Sequence, residues 1–139
     1  MDSILLIDDC DDFRAVLADF LRDSNYFVVD TPCPDEAFSV LRSDTFDLII
    51  CDLHMPFASG EKAANYECSL NVGVETIREL VWVYPWTPIV AVTGHLPSYA
   101  GFFEQALPGV PVFNKPIQPK RLLQEIGKSL AAKAHRVIQ

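Results

Sequence analysis

Four short stretches carry the side chains that could do chemistry: Asp8-Asp9, Asp52, Thr93-Gly94 and Lys115-Pro116. Apolar runs lead into each of them, namely Ile4–Ile7, Leu48–Cys51, Ile89–Val92 and, one residue further back, Val110–Phe113. Three carboxylates brought together repel and raise one another's pKa. A divalent cation removes that conflict, and hard oxygen ligands with room for waters suit Mg²⁺. Asp52 is then a nucleophile that needs no general base, because a carboxylate is already ionised at neutral pH. Lys115 offers a compact positive charge and Thr93 a neutral donor to phosphoryl oxygens. The set points to transfer of a phosphoryl group onto a carboxylate, with positioning and electrostatics supplying most of the catalysis. Taken singly, each residue has an ordinary reading as a turn or cap. The chemistry lies in their order at successive strand ends.

The elements that would position them follow from periodicity. Ile4–Ile7 reads as a buried strand, and Phe13, Val16, Leu17, Phe20 and Leu21 form one helical face. Ser24-Asn25 ends that helix, since Asn tolerates the left-handed C-terminal position. Tyr26–Val29 is a second strand. Pro34 suits a first helical turn with Asp35 and Glu36 at its positive end, and Ala37, Val40 and Leu41 face inward. Leu48–Cys51 is a third strand. Ile77, Leu80, Val81 and Tyr84 mark a third helix, and Ile89–Val92 a fourth strand. Pro97 opens a helix with Tyr99, Phe102, Phe103 and Ala106 inward. Val110–Phe113 is a fifth strand, placed at an edge or made irregular by Pro111, which has no donor. Pro119 opens the last helix, with Leu122, Leu123, Ile126 and Leu130 on its core side.

Alternating strands and helices imply an α/β domain with a parallel sheet covered on both faces and right-handed crossovers. Ligands bind such a sheet beyond the carboxyl ends of its strands, where all four stretches lie. A chain of 139 residues is expected to form one domain over 1–139. The formal charge of −8 disfavours nucleic acid as a direct partner. Thirteen acids fall before Leu53, while Lys115–Gln139 carries one acid, so both regions read as solvated faces of opposite sign. No apolar run reaches the ~18 residues of a membrane span, and Ile4–Ile7 is too short for a signal peptide. No membrane insertion and a cytoplasmic location are expected. Cysteines 10, 33, 51 and 68 lack CxxC spacing, so no zinc or redox motif is indicated. Cys51 reads as a small core residue.

The stretches Ile4–Asp9 (ILLIDD), Phe46–Pro56 (FDLIICDLHMP), Pro88–Gly94 (PIVAVTG) and Asn114-Lys115-Pro116 make the chain resemble the receiver domain of two-component response regulators. The resemblance implies a flavodoxin-like (βα)5 domain with a doubly wound five-stranded parallel sheet in order 2-1-3-4-5. It implies Asp52 as phosphoacceptor, receiving its group from a phosphohistidine on a sensor histidine kinase or phosphotransfer protein. Asp8, Asp9, Asp52 and the backbone carbonyl of His54 would hold Mg²⁺. Thr93 and Lys115 would contact the phosphoryl oxygens, across a cis Lys115-Pro116 bond. Turnover of an external substrate is not expected, only Mg²⁺-dependent self-phosphorylation and dephosphorylation at Asp52. The downstream partner is a protein that the sequence does not identify. It would meet the face of helix four, strand five and helix five, which carries Tyr99, Phe102, Lys120 and Arg121. Residues 117–139 are needed for the last helix, so the chain reads as a stand-alone, chemotaxis-regulator-like receiver or one cut from a longer protein.

Two departures from that family stand out. Its switch aromatic lies three residues before the lysine, here Val112, with Phe113 next to it. Strand alternation aims Phe113 at the other face unless an irregularity near Pro111 turns it back. The segment from Asp52 to Thr93 is also longer than usual. Placing the family's glycine at Gly73 rather than Gly60 puts an insertion at about 57–72, between strand three and helix three. It reads either as a tolerated surface insertion or as a lid or partner-docking loop. His54 and His95 occupy positions that tune acyl-phosphate hydrolysis in the family, or are simply polar loop residues. A phosphorylation-independent interaction module of the same fold is the alternative function. A free-standing phosphatase is disfavoured, because His54 stands where such an enzyme has its general acid.

Overall fold

The structure is a computed structural model that describes residues 1–60, 69–94 and 96–138. Its elements run β1 (Ser3–Ile7), α1 (Asp11–Asp23), β2 (Phe27–Thr31), α2 (Pro34–Leu41), β3 (Leu48–Asp52), α3 (Leu70–Val83), β4 (Ile89–Thr93), α4 (Leu96–Ala106), β5 (Val112–Asn114) and α5 (Pro119–Ile138). The strands form one parallel sheet in the expected order β2-β1-β3-β4-β5. β3 lies at the centre and all five of its residues are buried. That explains its continuous apolar run, because a strand covered on both faces has no polar side.

Alternate strand residues feed two cores. Leu5, Ile7, Ile49, Cys51 and Ala91 pack with residues of α2, α3 and α4 such as Ala37, Ile77 and Phe103. Ile4, Leu6, Ile50, Val90 and Val92 pack with Leu17 and Leu21 of α1 and Leu122 and Ile126 of α5. The register keeps the strand ends level. Ile7 pairs with Cys51 and Asp52 pairs with Val92, so Asp8 and Asp52 leave the sheet at the same edge.

Local signals behave as their chemistry requires. Asn25 takes a φ of 72° just after α1. Pro34 occupies the first turn of α2 beside Asp35 and Glu36. Pro111 precedes β5 at the sheet edge and contributes its carbonyl to the Ala91 N–H at 2.9 Å. β5 is accordingly shorter and later than the apolar run Val110–Phe113 suggests. β2 likewise starts at Phe27 and continues through polar Asp30 and Thr31, because its pairing with β1 extends to Ile7.

Four side chains expected inside are not. Val16 is 71% exposed, Val81 46%, and Tyr99 and Phe102 44% each. A helix rests only a narrow arc on a sheet, so the flanks of a wide apolar stripe stay in water. Tyr99 has the additional reason that its backbone leaves the helical region (φ −126°, ψ 16°) and kinks α4. Strict alternation holds in β5. Val112 packs on the core under α4, and Phe113 on the core shared by α1 and α5. The alternative in which Phe113 is turned back toward α4 is therefore incorrect.

Half of the stretch read as an insertion, residues 61–68, lies outside the described residues. Its flanks are placed. Met55 and Ser69 form an antiparallel bridge, with the Ser69 N–H donating to the Met55 carbonyl at 3.4 Å. On the near side the Asp35 N–H donates to the Phe57 carbonyl at 3.0 Å, and the Ser59 hydroxyl to Glu36 at 3.2 Å. On the far side α3 begins at Leu70, inside the stretch that shows no period. Gly73 in its first turn lies against the Leu53 backbone so closely that a Cβ there would collide with it. Because the obstacle is backbone, no rotamer change relieves it. Gly73→Ala is expected to destabilise the domain by roughly 2–3 kcal/mol or more, read as a lower urea midpoint with an unchanged denaturant slope.

Candidate functional site

The carboxyl edge of the sheet gathers the residues singled out by spacing. Asp8 is 1% exposed, Asp52 4% and Thr93 0%, whereas Asp9 is exposed. Ligand oxygens of Asp8, Asp9 and Asp52 all lie within 4.8 Å of one another. The Lys115 ammonium donates to Asp8 Oδ2 at 2.9 Å and lies 3.7 Å from Asp52 Oδ1. Backbone groups help to fix Asp8, Asp52, Thr93 and Lys115. The Asp8 N–H donates to Thr31 O at 3.1 Å, continuing the β1–β2 ladder past its last pair. The Cys10 N–H donates to Asp8 Oδ1 at 2.9 Å, and the His54 N–H to Asp52 Oδ1 at 3.4 Å. The Lys115 N–H donates to Thr93 O at 2.8 Å, which ties β5 to β4 beneath the site. The Lys115-Pro116 bond is cis.

Burial governs the electrostatics. It pushes the Asp52 carboxyl from 3.8 up to about 8, with the Asp8 charge adding and Lys115 opposing, so without a cation this carboxyl is not already ionised at neutral pH as its residue type alone suggests. Burial raises Asp8 as well, against the hydrogen bonds it receives from Lys115 and Cys10. Burial alone would lower the Lys115 ammonium, but its bond to Asp8 and the nearby Asp52 charge carry it upward overall. One lysine does not neutralise three acids. The all-oxygen donor set fits a hard divalent cation, which supplies the missing charge. Cys51, one residue earlier, is fully buried and its thiol is pushed well up by that burial. It is an inert core residue, as its apolar neighbourhood indicates.

Two neighbours were not singled out by the sequence. Phe13 lies under Lys115, with Nζ 4.1 Å from the ring centroid. Arg14 donates through Nη1 to the Asp8 carbonyl at 2.8 Å. Phe13 carries only an apolar-face signal, and the apolar stripe of α1 accounts for it equally well. Arg14 does have a trace in sequence, since it stands three residues after Asp11 and close behind the acid pair. Beside Lys115, an apolar groove of about 550 Å³ runs between α1 and the start of α5, lined by Phe13, Val16, Phe20, Ile117 and Leu122 among others. His54 sits beside the cluster, and His95 lies outside the described residues.

Comparison with known proteins agrees with this geometry. Residues 4–66 match the family model described as the response regulator receiver domain. A response regulator receiver protein of Anaeromyxobacter sp. (strain Fw109-5) is 28% identical over 119 residues, covering 86% of this chain and 44% of that protein. The chain thus spans less than half the length of the curated relative it matches. In fold it is similar to the chemotaxis protein CheY4 of Vibrio cholerae, with a TM-score of 0.74 and 24% identity over 93% of this chain and 98% of that one. It is also similar to a CheY-like receiver of Methanospirillum hungatei, with a TM-score of 0.77 and 20% identity over 98% of each chain. A third likeness is the Thermotoga maritima response regulator TrrA in complex with Mg²⁺ and BeF, with a TM-score of 0.73 and 22% identity over 93% of this chain and 99% of that one. Over residues 4–66 the chain matches the receiver-domain family that its motifs resemble, and its fold is that of CheY-like receivers.

The raised Asp52 carboxyl has a thermodynamic signature. Without metal, the folded chain holds this proton up to about pH 8 while the unfolded chain releases it near 3.8. Between those values the native state binds the extra proton, so this group's contribution to stability falls as pH rises. Thermal melts in chelator from pH 4 to 8 should show wild type losing ground steadily to Asp52→Asn. Parallel melting curves would contradict the assignment.

Proposed function

We propose that this chain is a phosphorylation-controlled signalling domain of the cytoplasm, one receiver unit over residues 1–139, that stores a phosphoryl group on Asp52. The observation that carries the reading is the cluster itself: three carboxylates within 4.8 Å of one another and a lysine ammonium 3.7 Å from Asp52. In this reading Asp8, Asp9, Asp52 and the backbone carbonyl of His54 hold Mg²⁺, and Thr93 and Lys115 contact the phosphoryl oxygens. Bound Mg²⁺ supplies charge neutralisation between the carboxylates and the incoming phosphoryl oxygens. An Asp52 oxygen forms the bond to phosphorus as the N–P bond of a donor phosphohistidine breaks. The electron pair returns to the imidazole nitrogen, and Lys115 balances the charge gathered on the transferred group. Attack of water on phosphorus later releases phosphate and restores the carboxylate.

The partners follow from that chemistry. A sensor histidine kinase or phosphotransfer protein presents the phosphohistidine. The apolar groove beside Lys115 is the surface such a donor meets while its imidazole reaches Asp52. Downstream, phosphorylation biases the surface of α4, β5 and α5 toward a protein partner, a coupling of about 1–3 kcal/mol. Val112 faces α4 where the family has its aromatic switch residue, so that half of the switch is missing here. The same observation favours a second reading, in which the domain is a phosphorylation-independent interaction module of the receiver fold. Residues 57–72 are in either case a tolerated insertion or a partner-docking loop beside the site.

Acetyl phosphate with Mg²⁺ separates the two readings. Intact-mass spectrometry should show an adduct of about 80 Da that chelator or Asp52→Asn abolishes. Lys115→Met should slow its formation by about 10²-fold. No adduct on the wild-type chain would leave the constitutive module as the function.

A further inference from the structure

Arg14 has no role in the chemistry above, yet its guanidinium spends three donors on one junction. Nη1 donates to the Asp8 carbonyl at 2.8 Å, Nη2 to Asp11 Oδ1 at 2.8 Å, and Nε to Asp30 Oδ2 at 3.1 Å. Its side chain is 15% exposed, and the paired carboxylates hold its pKa up against burial. The carbonyl it grips belongs to the peptide unit that joins Asp8 to Asp9. Rotation of that unit would change where the Asp9 carboxylate points relative to Asp8 and Asp52. The Asp8 side chain is already held from the other side by Lys115 and by the Cys10 N–H. The exposed Asp9 carboxyl bonds only toward Asp52 within the cluster, so its direction depends on this peptide as well.

We propose that Arg14 is a positioning residue for the metal site. It locks the Asp8–Asp9 peptide so that the exposed Asp9 carboxylate is presented to the cation that Asp8 and Asp52 share. Asp30 on β2 anchors the guanidinium, and Arg22 offers a built-in control. Arg22 donates to Asp30 Oδ1 at 3.2 Å from one helical stretch further along α1. It therefore shares the tie between α1 and β2 without touching the acid pair. An arginine suits the task better than a lysine, because its planar fork reaches three acceptors in fixed directions.

The inference rests on the Mg²⁺ reading of the cluster, and the experiment separates the two. Calorimetric titration of the full chain with Mg²⁺ alone is run on wild type, Arg14→Met, Arg14→Lys and Arg22→Met, with a thermal melt of each. Arg14→Met should weaken Mg²⁺ binding by about tenfold or more, the usual effect of removing an outer-shell partner. Arg14→Lys, which keeps the charge but loses the planar fork, should fall between it and wild type and covers the case in which Arg14→Met does not fold. Arg22→Met should bind Mg²⁺ as wild type does even where its melting temperature drops. With acetyl phosphate, Arg14→Met should recover the wild-type rate at saturating Mg²⁺, a split that a general loss of structure would not produce. Wild-type affinity in both Arg14 variants, or an equal loss in Arg22→Met, would overturn the inference. Failure of wild type itself to bind Mg²⁺ would overturn the metal reading beneath it.

Discussion

Two buried carboxylates and one lysine at the end of a parallel sheet set the terms for everything around them. Asp8 and Asp52 are nearly inaccessible to water, and a charge in such a place is costly unless it is paired. Lys115 pairs them only in part. It arrives from β5, across the width of β3 and β4, so the sheet must hold its strand ends level to within a hydrogen bond. The backbone bond from Lys115 to Thr93 and the register that places Asp52 opposite Val92 do that work. Burial first, and the neighbouring Asp8 charge second, raise the Asp52 carboxyl to about 8, a shift that added positive charge would oppose.

The two-faced core is what makes such precision possible. Alternate residues of one strand serve different helix layers, so a shift of any strand by one residue would exchange both cores at once. β3 is locked on every side by this arrangement and delivers Asp52 from the most constrained position in the molecule. β5, three residues long at the edge, is the least constrained of the strands that supply the site. Lys115 hangs from that edge, its ammonium lying over the Phe13 ring. A rigid acceptor and a more adjustable cation are thus supplied by the same sheet.

Much of this was legible in the chain because the signals are strong and redundant. Buried strands announce themselves as unbroken apolar runs, and acids directly after them can only project from the carboxyl edge. The sheet order, the helix-opening prolines 34 and 119 and the left-handed Asn25 followed from the same reasoning. What periodicity could not supply was breadth. It marked Val16, Val81, Tyr99 and Phe102 as inward because it sees an apolar stripe and not how much of that stripe the sheet covers. It also hid the start of α3, where Asn71 and Gly73 interrupt the apolar pattern and Gly73 lies against the Leu53 backbone. Arg14 escaped notice for a different reason: its importance lies in a backbone carbonyl, and a backbone atom leaves no residue type to recognise.

The bridge between Met55 and Ser69 gives the long β3–α3 connection a clasp at its neck. The bridge brings Met55 and Ser69 together, so the spacing from Asp52 to α3 is set at that neck. Just beyond the clasp Phe57 and Ser59 are tied to Asp35 and Glu36 of α2, so Gly60 is the last described position on that side. Foreign sequence spliced in after Gly60, a peptide epitope or a small fluorescent reporter, would ride on the domain as a passenger while the sheet edge beneath it kept its shape.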